Sequence, residues 1–266
     1  MSLRILPLLL LPLLAPISVG AQTSANPVEI EVLPGWRDAS GRHTAAFRFS
    51  LAEGWKTYWR APGEAGIPPQ LDWQGSENLA AYELVWPTPQ VFYLNGMRSI
   101  GYHDGFVLPV TFTLTDPDQP AIMRGRIDIG VCEDICVPVS LEFEAILPVG
   151  GSRTPQIVAA MVDRPLTADE AKVTRTTCDL SPTDDGLQID VEIDLPDTGG
   201  KEVVVVESAG TWVSETDVTR AGGTLRASAD MVDTTGAGLA VDRSKVVVTV
   251  LGENLAVEVQ GCSSGG

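Results

Sequence analysis

The chain has 266 residues, 44% of them hydrophobic, and its 18 Lys and Arg against 35 Asp and Glu give a formal net charge of −17 at pH 7. A surface this acidic repels nucleic acid and anionic lipid, so neither is expected as a partner. No zinc-enzyme, Ser/His/Asp-hydrolase or phosphate-loop pattern is present, which removes those enzyme classes, and no cofactor is expected.

Residues 1–21, MSLRILPLLLLPLLAPISVGA, place Arg4 before an apolar run and put Val19 and Ala21 at the minus-three and minus-one positions of a cleavage site. That is the pattern of a secretory signal peptide. Pro7, Pro12 and Pro16 break the run short of the roughly 20 apolar residues a membrane span requires. The expected mature chain is exported to the periplasm, with no membrane insertion after signal removal. It keeps about 245 residues, enough for one large or two ordinary domains. Loss of Arg4 takes its net charge from −17 to −18.

From Val28 onward the apolar residues alternate: Val28–Val32, His43–Leu51 and Leu108–Leu114 all read as half-buried strands, separated by Gly, Pro and Asp clusters. Several such strands without helical periods between them predict an antiparallel sandwich, here over residues 22–150. Residues 151–165 read as a linker. Within it Pro155 to Asp163 has helical spacing of Ile157, Val158, Ala160 and Met161, and is expected to bridge two domains. Strand patterns resume at 187–195, 202–207, 245–251 and 255–259, predicting a second all-β domain over residues 166–266.

The chemistry is expected in Gly130-Val-Cys-Glu-Asp-Ile-Cys-Val-Pro138. Residues four apart in a straight strand lie about 13 Å from one another, too far for a disulfide, so Glu133-Asp-Ile135 must form a tight loop that brings Cys132 and Cys136 face to face. With Ile127, Ile129 and Val131 inward, both cysteines fall on the polar, reachable face. In the loop-entropy model, closing about 5 residues stabilises by about 2 kcal/mol, whereas a Cys178–Cys262 bridge closing about 85 gives about 4.5. The short bridge suits a redox switch and the long one a structural staple. Glu133 and Asp134 disfavour thiolate at the pair. Exchange is therefore expected only once a docked partner supplies the attacking thiolate or alters the local field.

The run Gly54-Trp-Lys-Thr-Tyr-Trp-Arg-Ala-Pro-Gly-Glu-Ala-Gly-Ile-Pro-Pro69, with Trp86-Pro87, Phe92-Tyr93, Gly101-Tyr102, Leu108-Pro-Val110 and the cysteine pair before Pro138, resembles the N-terminal periplasmic domain of the thiol:disulfide interchange protein DsbD. The Cys-x-x-x-Cys-Val-Pro form with a second β domain behind it is closest to the N-terminal region of ScsB-like proteins, relatives linked to copper tolerance. The resemblance implies two immunoglobulin-like sandwiches. It also implies a catalytic pair, Cys132 and Cys136, that relays electrons from a transmembrane thiol:disulfide reductase to periplasmic thioredoxin-like proteins. Cys136 would form the mixed disulfide, and Phe92 and Tyr93 would cap the pair. The spacing of three departs from the five of DsbD, and Gln90 and Val91 stand where DsbD has acidic residues before the Phe-Tyr. The chain holds neither a membrane domain nor a thioredoxin-like domain, so its electrons are expected from a separate protein.

Two alternatives stay open at this point. Soft thiolates select Cu(I), and imidazole completes such a site, so Cys132 and Cys136 with His103 or His43 would make a copper carrier. A redox-silent module that docks partners through its acidic surface is the other. Trp55, Tyr58, Trp59, Trp73 and Trp86 are expected in the core.

Overall fold

Branched and aromatic side chains stand clear of a pleated strand but crowd a helical turn, so alternating Val, Ile, Phe and Thr favour extended chain. The computed structural model describes residues 26–64, 66–94, 96–236 and 238–265, and among them that preference builds 19 strands and one α-helix. The expected signal peptide lies outside the described residues. Among the described residues no helix is long and apolar enough to cross a membrane.

Ten strands come first: β1 Val28–Arg37, β2 His43–Leu51, β3 Lys56–Tyr58, β4 Gln70–Asp72, β5 Leu79–Leu84, β6 Gln90–Leu94, β7 Met97–His103, β8 Gly105–Leu114, β9 Ala121–Cys132 and β10 Cys136–Leu147. They form two sheets, ordered β1-β2-β8-β5 and β10-β9-β3-β7-β6, with β4 also on β9. Phe47, Trp59, Phe112, Met123 and Ile127 are fully buried between these sheets. The rings of Phe47 and Phe143 meet edge to face at 4.8 Å, and those of Trp73 and Phe112 at 5.3 Å. The expected core aromatics Trp59 and Trp86 are buried, while Trp55 and Trp73 pack against the core from partly exposed positions.

The α-helix α1 Pro155–Val162 forms where the sequence predicts it and packs back on the first half of the chain. Ile157 and Ala160 bury on the outer face of the first sheet, where Leu33, Trp36 and Ala46 form an apolar patch. That patch exists because β1 is bulged between Leu33 and Trp36, which keeps both on the outward face. The helix covers what the sheet would otherwise expose.

Nine strands follow: β11 Leu166–Thr167, β12 Arg175–Pro182, β13 Leu187–Asp194, β14 Val203–Glu207, β15 Thr211–Val213, β16 Asp217–Ala221, β17 Thr224–Asp233, β18 Val247–Leu251 and β19 Ala256–Gln260. One sheet runs β11-β19-β18-β14 and the other β12-β13-β17-β15, with β16 also on β17. Ile189, Val191, Ile193 and Leu225 bury with Val204, Val248, Val250 and Val257. The halves touch closely. Val203, Leu251 and Ala256 of the second half belong to the buried cluster of the first, and two arginines, Arg60 and Arg98, cross to carboxylates of the second half.

Candidate functional site

β9 and β10 pair in an unbroken antiparallel register from Ala121↔Leu147 to Cys132↔Cys136. Three residues, Glu133 to Ile135, make the turn, so the two cysteines stand directly opposite, with alpha carbons 4.1 Å apart, and their sulfurs are bonded. Glu133, Asp134 and Ile135 are all exposed, Ile135 at 74%.

The two sulfurs do not share one environment. Cys132 is 1% exposed, whereas Cys136 is open to solvent. The expectation that both cysteines lie on a reachable face is thus corrected for Cys132: the two share one face of the hairpin, but a cover from elsewhere in the chain closes over Cys132. Alternation along β9 shows which way Cys132 points, not what lies above it.

That cover comes from the stretch between β3 and β4. Lys56 and Thr57 pair with Cys132 and Val131 on the free edge of β9, and β4 pairs lower down the same edge, with Leu71 opposite Ile127. Between these contacts the chain leaves the edge and folds across the face of the sheet at Gly130. A side chain at Gly130 would put its first carbon 2.8 Å from Ile67 Cβ and 3.2 Å from a Tyr58 ring carbon. Glycine is therefore required for the cover to close. Thr57 fixes the same spot by donating its hydroxyl to the Gly130 carbonyl at 2.8 Å.

Tyr58 is the chemically informative residue. Trp59 beside it points into the core, so Tyr58 points the other way, over the disulfide. Its hydroxyl lies 2.8 Å from Cys132 Sγ and 3.2 Å from Cys136 Sγ. A disulfide sulfur carries no proton, so the phenol is the donor. Burial pushes the Tyr58 phenol above its usual range, which keeps the proton on it. Sequence reading groups Tyr58 with the core aromatics. The available signal was its parity: Lys56 and Tyr58 share a face opposite Thr57 and Trp59.

Lys56 stands between Cys132 and the expected cap. Its neighbours across the sheet are Cys132 on β9 and His103 on β7. The ammonium donates to Ser99 Oγ at 3.1 Å and lies 5.2 Å from the centre of the Phe92 ring, a cation–π distance. Burial lowers the Lys56 pKa. Phe92 reaches the disulfide region through Lys56, and its other ring neighbour is His103 at 5.8 Å. Tyr93 is 55% exposed and faces Lys201 of the second half at 5.1 Å.

The histidines are not brought to the pair. His103 is two strands from Cys132, about 10 Å at normal strand spacing, and its Nδ1 is 2.6 Å from Asp104 Oδ2. His43 is fully buried on β2, in the other sheet, with Nε2 2.6 Å from the Pro34 carbonyl. Among the described residues no three His, Cys, Asp or Glu gather closely enough to hold a metal ion. Cys178 and Cys262 are bonded across 84 residues of chain, with Cys178 buried in the second core.

Residues 28–148 match the family model for the thiol:disulfide interchange protein DsbD, N-terminal. This segment belongs to the DsbD N-terminal family. Its β9–β10 hairpin with the bonded cysteines therefore sits in a thiol:disulfide interchange family. The crystal structure of the N-terminal periplasmic domain of ScsB from Proteus mirabilis superposes with a TM-score of 0.69 at 19% identity, over 92% of this chain and 97% of that one. At that identity the likeness carries the fold, and it extends beyond the DsbD N-terminal segment through the second pair of sheets. A structure of manganese lipoxygenase of Gaeumannomyces graminis with part of zonadhesin of Komagataella pastoris aligns over 88% of this chain and 92% of that one, but at a TM-score of 0.14 and 13% identity it carries no argument. No curated protein matches the chain in sequence.

Proposed function

We propose that the chain is a periplasmic thiol:disulfide relay, passing electrons from a transmembrane reductase to thioredoxin-like proteins through Cys132 and Cys136. The observation that supports this most is the asymmetry of the pair: one sulfur open to solvent, the other buried beneath a phenol donor. A structural staple has no use for that arrangement, whereas exchange requires one sulfur to be attacked and the other to leave.

In the reduced state the Cys136 thiolate attacks the disulfide of a thioredoxin-like protein. A bond forms between Cys136 and the partner's nearer sulfur, the partner's disulfide breaks, and its farther sulfur leaves and takes a proton. The Cys132 thiolate then attacks Cys136 Sγ, re-forming the internal disulfide and releasing the partner's nearer sulfur as its second thiol. Two electrons and two protons have moved to the partner. A membrane reductase dithiol restores the pair by the reverse sequence, in which Cys132 leaves as a thiolate. The Tyr58 hydroxyl is placed to hydrogen-bond that thiolate, which favours its departure. Glu133 and Asp134, at the exposed tip beside Cys136, bias the site against stray anionic thiols.

In this reading residues 22–150 and 166–266 are two immunoglobulin-like sandwiches joined by residues 151–165, and residues 1–21 are removed on export. The test mixes fully reduced protein with an oxidised thioredoxin-like protein. The expected record is one disulfide's worth of electrons transferred per chain, with Cys178–Cys262 intact. Absence of transfer removes the relay.

A further inference from the structure

The segment that covers Cys132 is held from its other side by the second half of the chain. Arg60 follows Tyr58 by two residues. Its guanidinium is bidentate on Glu207, with Nε 3.0 Å from Oε1 and Nη2 2.9 Å from Oε2, and Nη2 also reaches Glu258 Oε2 at 2.6 Å. Glu207 ends β14 and Glu258 lies on β19, so one side chain joins two strands of the second half. The fork is stacked on Trp59 at 4.3 Å, and the three charged side chains are only 24 to 27% exposed. An arginine planar on an aromatic ring and bidentate on a carboxylate has little freedom left.

A second tie lies beside it. Arg98, on the β6–β7 hairpin that carries Phe92, is 10% exposed and has Nε 3.4 Å from Glu215 Oε2. The carbonyl of Arg98 and the carboxylate of Glu215 both face Gly63, inside the covering segment. Both structures flanking the disulfide are therefore tied to one neighbour.

We infer that Arg60 is a positioning residue for disulfide exchange: through Glu207 and Glu258 the second half of the chain holds Tyr58 in place over Cys132. This gives the second half a role in the reaction without touching the sulfurs, and it rests on the relay reading above. The mechanical path is short. Only Trp59 stands between Tyr58 and Arg60 in the chain, and Ile67 closes the other end of the same excursion over Gly130.

The test uses the full chain with Glu207→Gln and Glu258→Gln together, which removes both charges and preserves shape. Reduction of Cys132–Cys136 by dithiothreitol is followed by alkylation and mass spectrometry. The expected result is a rate about tenfold below wild type, because the Tyr58 hydroxyl is no longer held where it hydrogen-bonds the departing Cys132 thiolate. The Cys178–Cys262 bridge and the melting curve act as the control that a merely structural role would move. Equal rates for variant and wild type, with the fold intact, overturn the inference. Should the double variant not fold, Glu215→Gln cuts the tie to Arg98 and is read by the same rate, with a fall expected and equality again overturning it. The ratio is measured whatever the outcome of transfer to a thioredoxin-like protein, so failure of the relay and failure of the tie leave different records.

Discussion

Cys132→Ser is expected to form a mixed disulfide about a hundredfold faster than Cys136→Ser, because one variant leaves an open sulfur and the other a sulfur beneath a closed cover. The probe is a thioredoxin-like protein reduced to its single attacking cysteine and activated with thionitrobenzoate, whose release reports each attack. In Cys132→Ser the Cys136 thiolate stands at the hairpin tip beside exposed Ile135 and needs no rearrangement to reach a partner. In Cys136→Ser the remaining thiol sits where Cys132 is 1% exposed, beneath the Tyr58 hydroxyl, and must wait for Tyr58 to move. Equal rates would mean that the cover does not control access, and the ordered exchange would lose its basis. No reaction from either variant would favour a redox-silent docking module.

The second large effect is on stability. Replacing Cys178 and Cys262 by Ala is expected to lower the unfolding free energy of the chain by about 4.5 kcal/mol, against about 2 for the Cys132–Cys136 pair, since loop-closure entropy grows with the length enclosed. The long bridge also joins the two sheets of the second half: Cys178 lies on β12 and Cys262 follows β19. Backbone bonds from Cys178 to Ser263 and from Ser263 to Thr176 continue the same seam, so loss of the sulfurs loosens the terminal strand that seam fixes. Urea unfolding of the two double variants measures both costs. Equal losses would contradict the division into a structural bridge and an exchanging one.

Much of the scaffold was legible because its strands advertise themselves. The predicted runs at 43–51, 187–195 and 202–207 correspond to β2, β13 and β14 within a residue or two. β17 went unread for a physical reason. Its inward residues Leu225, Ala227, Ala229 and Met231 alternate correctly, but two are alanines, too small to stand out from a turn-like context. The three-residue strands β3 and β4 are too short for any period to show. The helix was found and its partner was not, because a β-bulge at Pro34-Gly35 is what turns Leu33 and Trp36 to the same outer face.

At the site the hairpin register followed from the cysteine spacing alone. The burial of Cys132 did not, because its cover includes Tyr58, more than seventy residues earlier in the chain. A strand's alternation states which face a side chain takes and is silent on what another segment lays over that face. Phe92, expected as a cap on the pair, lies against His103 and over Lys56, the cross-strand neighbour of Cys132. His103 looked available for a metal and is engaged with Asp104 instead.

A relay disulfide must open and close in service, so the property that matters most is the reduction potential of the Cys132–Cys136 pair. It is read by alkylation and mass spectrometry in glutathione and dithiothreitol buffers. A value above about −300 mV is expected for this pair, with Cys178–Cys262 below it. A Cys132–Cys136 pair as resistant to reduction as the long bridge would contradict the relay.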